Sequence, residues 1–104
     1  MTITFRDVKA TDGLKEAIEK KIQRIRTHFR EVEDIDVVLQ APHKHHQKGN
    51  LFSCHIEAHI PRKPPCVVGR DSEDHAHEDP YVAIRDAFAA LERQLEHVTA
   101  PPRR

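Results

Sequence analysis

The clearest hydrophobic pattern lies near the end of the chain. Tyr81, Ile84, Phe88, Leu91, Leu95 and Val98 recur at alternating three- and four-residue steps, which places them on one face of a helix. Asp79 is a good N-cap, and Pro80 suits the first helical turn, where its missing N–H costs nothing. Arg85, Asp86, Glu92, Arg93 and Glu96 take the other faces, and Pro101 and Pro102 bar much further extension. A second helical stripe, Leu14, Ile18, Ile22, Ile25 and Phe29, predicts a helix over about residues 12–30. Thr11 is its N-cap, and Asp12 and Glu16 sit near its positive end. Gly13 is a weak helix former tolerated near the start. The polar faces of this helix carry Lys15, Lys20, Lys21, Arg24, Arg26 and Arg30.

Elsewhere the period is two. Ile3 and Phe5 alternate with polar residues over 2–6, and 35–41 is β-branched up to Pro42. Phe52, Cys54, Ile56, Ala58 and Ile60 alternate with Ser53, His55, Glu57 and His59 until Pro61, a strand with one dry face and one wet face. Residues 66–70 form a short fourth strand after the turn Arg62-Lys63-Pro64-Pro65. Polar loops at 43–50 and 71–78 separate these elements.

The order is βαβββα. A right-handed crossover makes the first two strands parallel, and short links make strands two to four an antiparallel meander. The expected fold class is α+β: a two-layer sandwich with both helices on one face of a four-stranded sheet, similar in layout to double-stranded-RNA-binding domains. Expected in or beside the core are Phe5, Leu14, Ile18, Ile22, Ile25, Phe29, Val37, Leu39, Cys54, Ile56, Ile60, Tyr81, Ile84, Phe88, Leu91 and Leu95. A chain of 104 residues suits one domain, read here as 1–100 with a short tail at 101–104.

Composition narrows the function. No apolar run is long enough to span a membrane, and Met1–Asp7 has no apolar h-region of a secretory signal. The expected location is therefore a bacterial cytoplasm, with Cys54 and Cys66 as reduced, partly buried thiols. Formal net charge is zero, yet residues 1–70 hold 13 Lys/Arg against 9 Asp/Glu, and residues 71–104 hold 4 against 8. Seven Lys/Arg against three Asp/Glu fall between Lys9 and Arg30. Arg62, Lys63 and Arg70 add charge beyond the first helix. Phosphate contacts need position and positive charge only, so this distribution admits RNA without a base-reading motif.

Other chemistries lack support. There is no nucleophile elbow, P-loop or paired-carboxylate signature, so no enzyme is read. Cys54 and His55 are strand neighbours and point to opposite faces, which argues against a thiol–imidazole dyad. Of nine histidines, His55 and His59 share a strand face but lie about 13 Å apart, too far to hold one ion. His43, His45 and His46, or His75 and His77, could converge in loops, without any metal-binding spacing. No metal or cofactor is expected.

Several blocks look familiar in this order and spacing: Val8 to Glu16 continuing to Lys21 and His28-Phe29; Val37-Val38-Leu39; and Glu78-Asp79-Pro80-Tyr81-Val82-Ala83-Ile84 followed by Leu91-Glu92-Arg93-Gln94-Leu95. Through them nearly the whole chain resembles the bacterial ribosome hibernation family, that of short hibernation promoting factor and ribosome-associated inhibitor A, once labelled modulators of sigma-54. The resemblance implies a non-catalytic factor in the decoding region of the 30S subunit, against 16S ribosomal RNA, that silences idle or stationary-phase ribosomes. It carries Lys15, Lys21, Arg24 and Arg93 over as contact residues. Ala90, Glu96 and His97 stand where the family is commonly basic, which leaves the first helix as the main basic surface. The given sequence shows no counterpart of the dimerisation domain of long members, so a monomer off the ribosome is expected. The full set of expected RNA-binding residues is Lys15, Lys20, Lys21, Arg24, Arg26, Arg62, Lys63, Arg70 and Arg93. The alternatives are a regulatory module binding another RNA or a protein and, more distantly, a small metal-binding protein.

Overall fold

The structure is a computed structural model that describes residues 1–41, 51–70 and 76–99. His43, His45, His46, His75 and the tail at 101–104 lie outside the described residues. The elements run β1 (Thr2–Arg6), α1 (Asp12–His28), β2 (Asp34–Gln40), β3 (Ser53–His59), β4 (Cys66–Val68) and α2 (Pro80–Val98). The sheet order is β1-β2-β3-β4, with β1 and β2 parallel and the other pairs antiparallel. This is the expected α+β fold.

Local chemistry accounts for the element boundaries. The Thr11 hydroxyl accepts from the Leu14 N–H at 3.2 Å, and the Asp79 carboxylate accepts from the Tyr81 N–H at 2.9 Å. Each satisfies an N–H that a helix start otherwise leaves without a partner. α1 stops at His28, two residues short of its sequence-based end. Phe29 leaves helical backbone at φ −126° and ψ 78°, and the chain folds back so that Val32 N–H donates to the Phe29 carbonyl. That reversal brings Val32 into the core. β4 is shorter than expected because Gly69, at φ +76°, turns its backbone hard against the Cys54 carbonyl. An added Cβ would lie 2.4 Å from that oxygen, so only glycine fits.

Period-two alternation decides which sheet face is covered. Ile35, Val37 and Leu39 of β2 and Cys54, Ile56 and Ala58 of β3 point to one face and are fully buried. Leu14, Ile18, Ile22 and Ile25 of α1 and Ile84, Phe88, Leu91 and Leu95 of α2 join them in one core. Burial of each large side chain stabilises the fold by about 1.5–3 kcal/mol. Phe5 and Phe29 pack at its margin.

Tyr81, expected in or beside the core, is 48 % exposed and is not part of the core cluster. It opens the α2 stripe, and its phenol leans toward Gly13 of α1. Val98, at the far end of the stripe, is also exposed.

Both cysteines are free and buried. Cys66 pairs in register with Ala58, four residues along β3 from Cys54, or about 13 Å. That separation is beyond the reach of a disulfide. Burial pushes the Cys54 thiol up to about 12, and Cys66 is raised for the same reason.

Candidate nucleic-acid interface

The two helices lie side by side and run in the same direction. Gly13 of α1 meets Tyr81 of α2, and Arg24 meets Glu92, the same 68-residue offset at both points. The topology requires this, since each helix descends from a strand of the same sense. Between them runs an open groove of about 600 Å³. Lys20, Lys21 and Arg24 line it from α1, and Tyr81, Ile84 and Arg85 from α2. Glu16, near the Gly13 end, is its one acidic lining residue.

Arg24 is not a loose surface cation. Its Nε donates to Glu92 Oε2 at 2.7 Å and its Nη2 to Oε1 at 3.4 Å, a two-pronged grip across the helices. The carboxylate holds the guanidinium above its ordinary pKa, through the hydrogen bond first and its charge second. Arg85 pairs with its neighbour Asp86 at 3.2 Å. Among the described residues Lys20 and Lys21 form no ion pair. Several cations beside an exposed aromatic ring can hold a polyanion electrostatically and offer a face for stacking.

The basic residues singled out from sequence fall into separate groups. Lys20, Lys21 and Arg24 meet in the groove. Arg26 and Lys63 meet elsewhere, around a hollow of about 470 Å³ that Arg30, Glu31 and Glu33 also line. Lys15 lies 11 residues before Arg26, three helical turns, and so shares that flank of α1. Lys63 also donates to the Val98 carbonyl at 2.5 Å, capping the negative end of α2. Arg62 is exposed at the turn after β3, with φ +66°. Arg70 is exposed beyond β4. Arg93 is exposed on the flank of α2 away from α1, next to Gln94, whose amide donates to the Val67 carbonyl of β4.

Sequence reasoning missed two groove residues, Tyr81 and Arg85. The signal was present: the two are four apart and share a helix face. What was absent was knowledge of which flank of α2 faces α1.

The sheet's open face is chemically different. Asp36 and Glu57 are directly opposed across β2 and β3, and His59 Nε2 lies 3.8 Å from each carboxylate. Thr2 Oγ1 donates to Asp36 at 2.6 Å, and Asp34 takes the N-terminal ammonium. Among the described residues no group of three or more His, Cys, Asp or Glu is placed to hold a metal ion.

The family described as sigma 54 modulation protein / S30EA ribosomal protein matches residues 1–100. The N-terminal domain of Protein Y from Thermus thermophilus is similar in fold, with a TM-score of 0.72 at 23% identity, over 94% of this chain and 96% of that one. A ribosomal subunit interface protein from Coxiella burnetii is similar at a TM-score of 0.67 and 19% identity, over 93% and 96%. At such identities the likeness is one of fold. No curated protein matches the chain.

Proposed function

The chain belongs to the sigma 54 modulation protein / S30EA ribosomal protein family, and on that premise we propose that it silences idle ribosomes by occupying the decoding region of the 30S subunit. The proposed partner is 16S ribosomal RNA, and the site of action is the cytoplasm. The observation that carries this reading is the cationic groove between α1 and α2, held on a rigid two-layer body. The work is steric. A folded domain lodged where messenger and transfer RNA must pass blocks initiation without a chemical step, so neither a cofactor nor a catalytic group is required. Lys20, Lys21, Arg24 and Arg85 supply charge toward phosphates, while Ile18, Ile22 and Ile25 lock α1 to the sheet. The second cationic hollow, with Arg26 and Lys63, offers phosphates another contact at the far end of α1. Among the described residues no helix is long and apolar enough to cross a membrane.

Sucrose-gradient sedimentation of stationary-phase extract tests the proposal. The protein should travel with 30S subunits or larger ribosomal particles at low salt and leave them steeply as salt rises. Protein confined to the top of the gradient at low salt would overturn it, and a regulatory role on another RNA or protein would then be preferred.

A further inference from the structure

We infer that the α1–α2 groove takes an unpaired stretch of RNA, with one base stacked on the ring of Tyr81 and the adjoining phosphates on Lys20, Lys21 and Arg85. This rests on the proposed ribosomal role and specifies what part of an RNA the groove receives.

The first observation is the tyrosine itself. Among the described residues every Phe is at least partly buried while Tyr81 is exposed, on a helix whose other large apolar groups are mostly buried. A ring left half in water has surface to offer a ligand. The second observation is how the ring is placed. Its hydroxyl lies over Gly13, where a Cβ would come within 2.5 Å of the phenol oxygen. Gly13 is a poor helix residue by propensity, yet the hydrogen in place of its side chain makes the space into which the phenol leans. The phenol is thereby held against α1, across the groove, rather than swung out from it.

The third observation is charge. Arg85 follows Tyr81 by one helical turn, and Lys20 and Lys21 face it from α1. Arg24 is tied to Glu92 and continues the cationic line, while Asp86 balances part of Arg85. Glu16 sits at the Gly13 end and repels phosphate there, which keeps the backbone of a bound strand toward the lysines. From Gly13 to Arg24 the groove follows α1 for roughly 16 Å, room for a few nucleotides. Paired RNA keeps its bases stacked inside the helix and shows a side chain only backbone and groove edges. An unpaired base presents a face, and stacking on an aromatic ring tolerates any base.

The chain offers a direct readout. Tyr81 is its only tyrosine and it has no tryptophan, so tyrosine emission reports on this one side chain. The protein is titrated with a short unpaired oligoribonucleotide, with the same strand annealed to its complement, and with polyglutamate of matched charge. The unpaired strand should quench the emission and bind about tenfold tighter than the duplex at equal salt. Tyr81→Phe should keep affinity within about twofold, and Tyr81→Leu should lose about tenfold with unchanged thermal stability. Gly13→Ala should weaken the unpaired strand likewise, by displacing the phenol, while the fold persists. A duplex that binds as well, a polyglutamate that competes equally, or a Tyr81→Leu protein that binds like wild type would each overturn the inference. Sedimentation of the same proteins separates the two readings. Ribosome binding that survives Tyr81→Leu, with wild-type emission unchanged by unpaired RNA, removes the stacking and leaves the ribosomal role. Quenching by unpaired RNA without ribosome binding does the reverse.

Discussion

The helix face and the open sheet face are built from the same chain and carry opposite characters. The groove between α1 and α2 shows Lys20, Lys21, Arg24 and Arg85 against a single lining carboxylate, Glu16. The sheet face shows Asp34, Asp36 and Glu57, moderated by Arg6, His59 and the N-terminal ammonium. Along the sequence, charge divides into a basic first part and an acidic second part. In three dimensions the contrast is between the groove and the sheet face. Asp34, Asp36 and Glu57 belong to the basic part of the sequence yet lie on the acidic face. Arg85 belongs to the acidic part yet lies in the cationic groove. A chain of zero formal charge thus gathers cations into one groove without any overall basic excess.

Reversing charge on each face in turn is the strongest way to break this contrast. Lys20→Glu with Lys21→Glu should cut ribosome affinity about a hundredfold at low salt and flatten its salt dependence. This pair leaves the Arg24–Glu92 bridge intact, which a substitution at Arg24 would not. Glu57→Lys on the sheet face should leave affinity within about threefold. It should also raise stability by about 0.5 kcal/mol, since Glu57 now opposes Asp36 as a like charge. If both reversals weaken binding equally, the two faces do not differ in function.

The core between the two faces has its own sensitivity, to alkali. Cys54 has an ordinary thiol pKa of 9.0 and a native one of about 12. The native state therefore keeps a proton that the unfolded chain gives up. Stability is full below about pH 9 and falls as pH climbs toward 12, at no more than about 1.4 kcal/mol per unit. Urea unfolding of wild type and Cys54→Ala on either side of pH 9 should show a shallower decline in the variant. An equal decline in both would place the alkaline loss elsewhere.

The smallest effect concerns the bridge that joins the helices. Glu92→Gln releases Arg24 from its carboxylate and should strengthen ribosome binding by about two- to threefold. The cost in stability should be small, because Arg24 is more than half exposed and solvent screens the pair. Binding that weakens instead would mean that the fork is needed to aim the guanidinium. Filter binding and thermal melts on one preparation would read both quantities.

Much of this molecule was legible in its sequence, and the legible part has one physical basis. Hydrophobic period is local: a three-four stripe or a strict alternation identifies an element and its buried face before any partner is known. Hence both helices, all four strands, their topology and the two N-caps at Thr11 and Asp79 follow from the residues. Lys20, Lys21 and Arg24 were likewise visible as a cationic stretch of one helix. What tertiary structure decided was adjacency. Only the packing of α1 beside α2 brings Arg85 to Lys20 and Lys21, closes Arg24 on Glu92 and sends Arg26 to the hollow near Lys63. Tyr81 repeats with its stripe but leans on Gly13 of α1, so its place depends on how the two helices pack. Gly13 reads as a flaw in a helix until the phenol opposite fills the space its missing side chain leaves. Periodicity acts through neighbours in the chain, whereas a binding surface is made by neighbours in space.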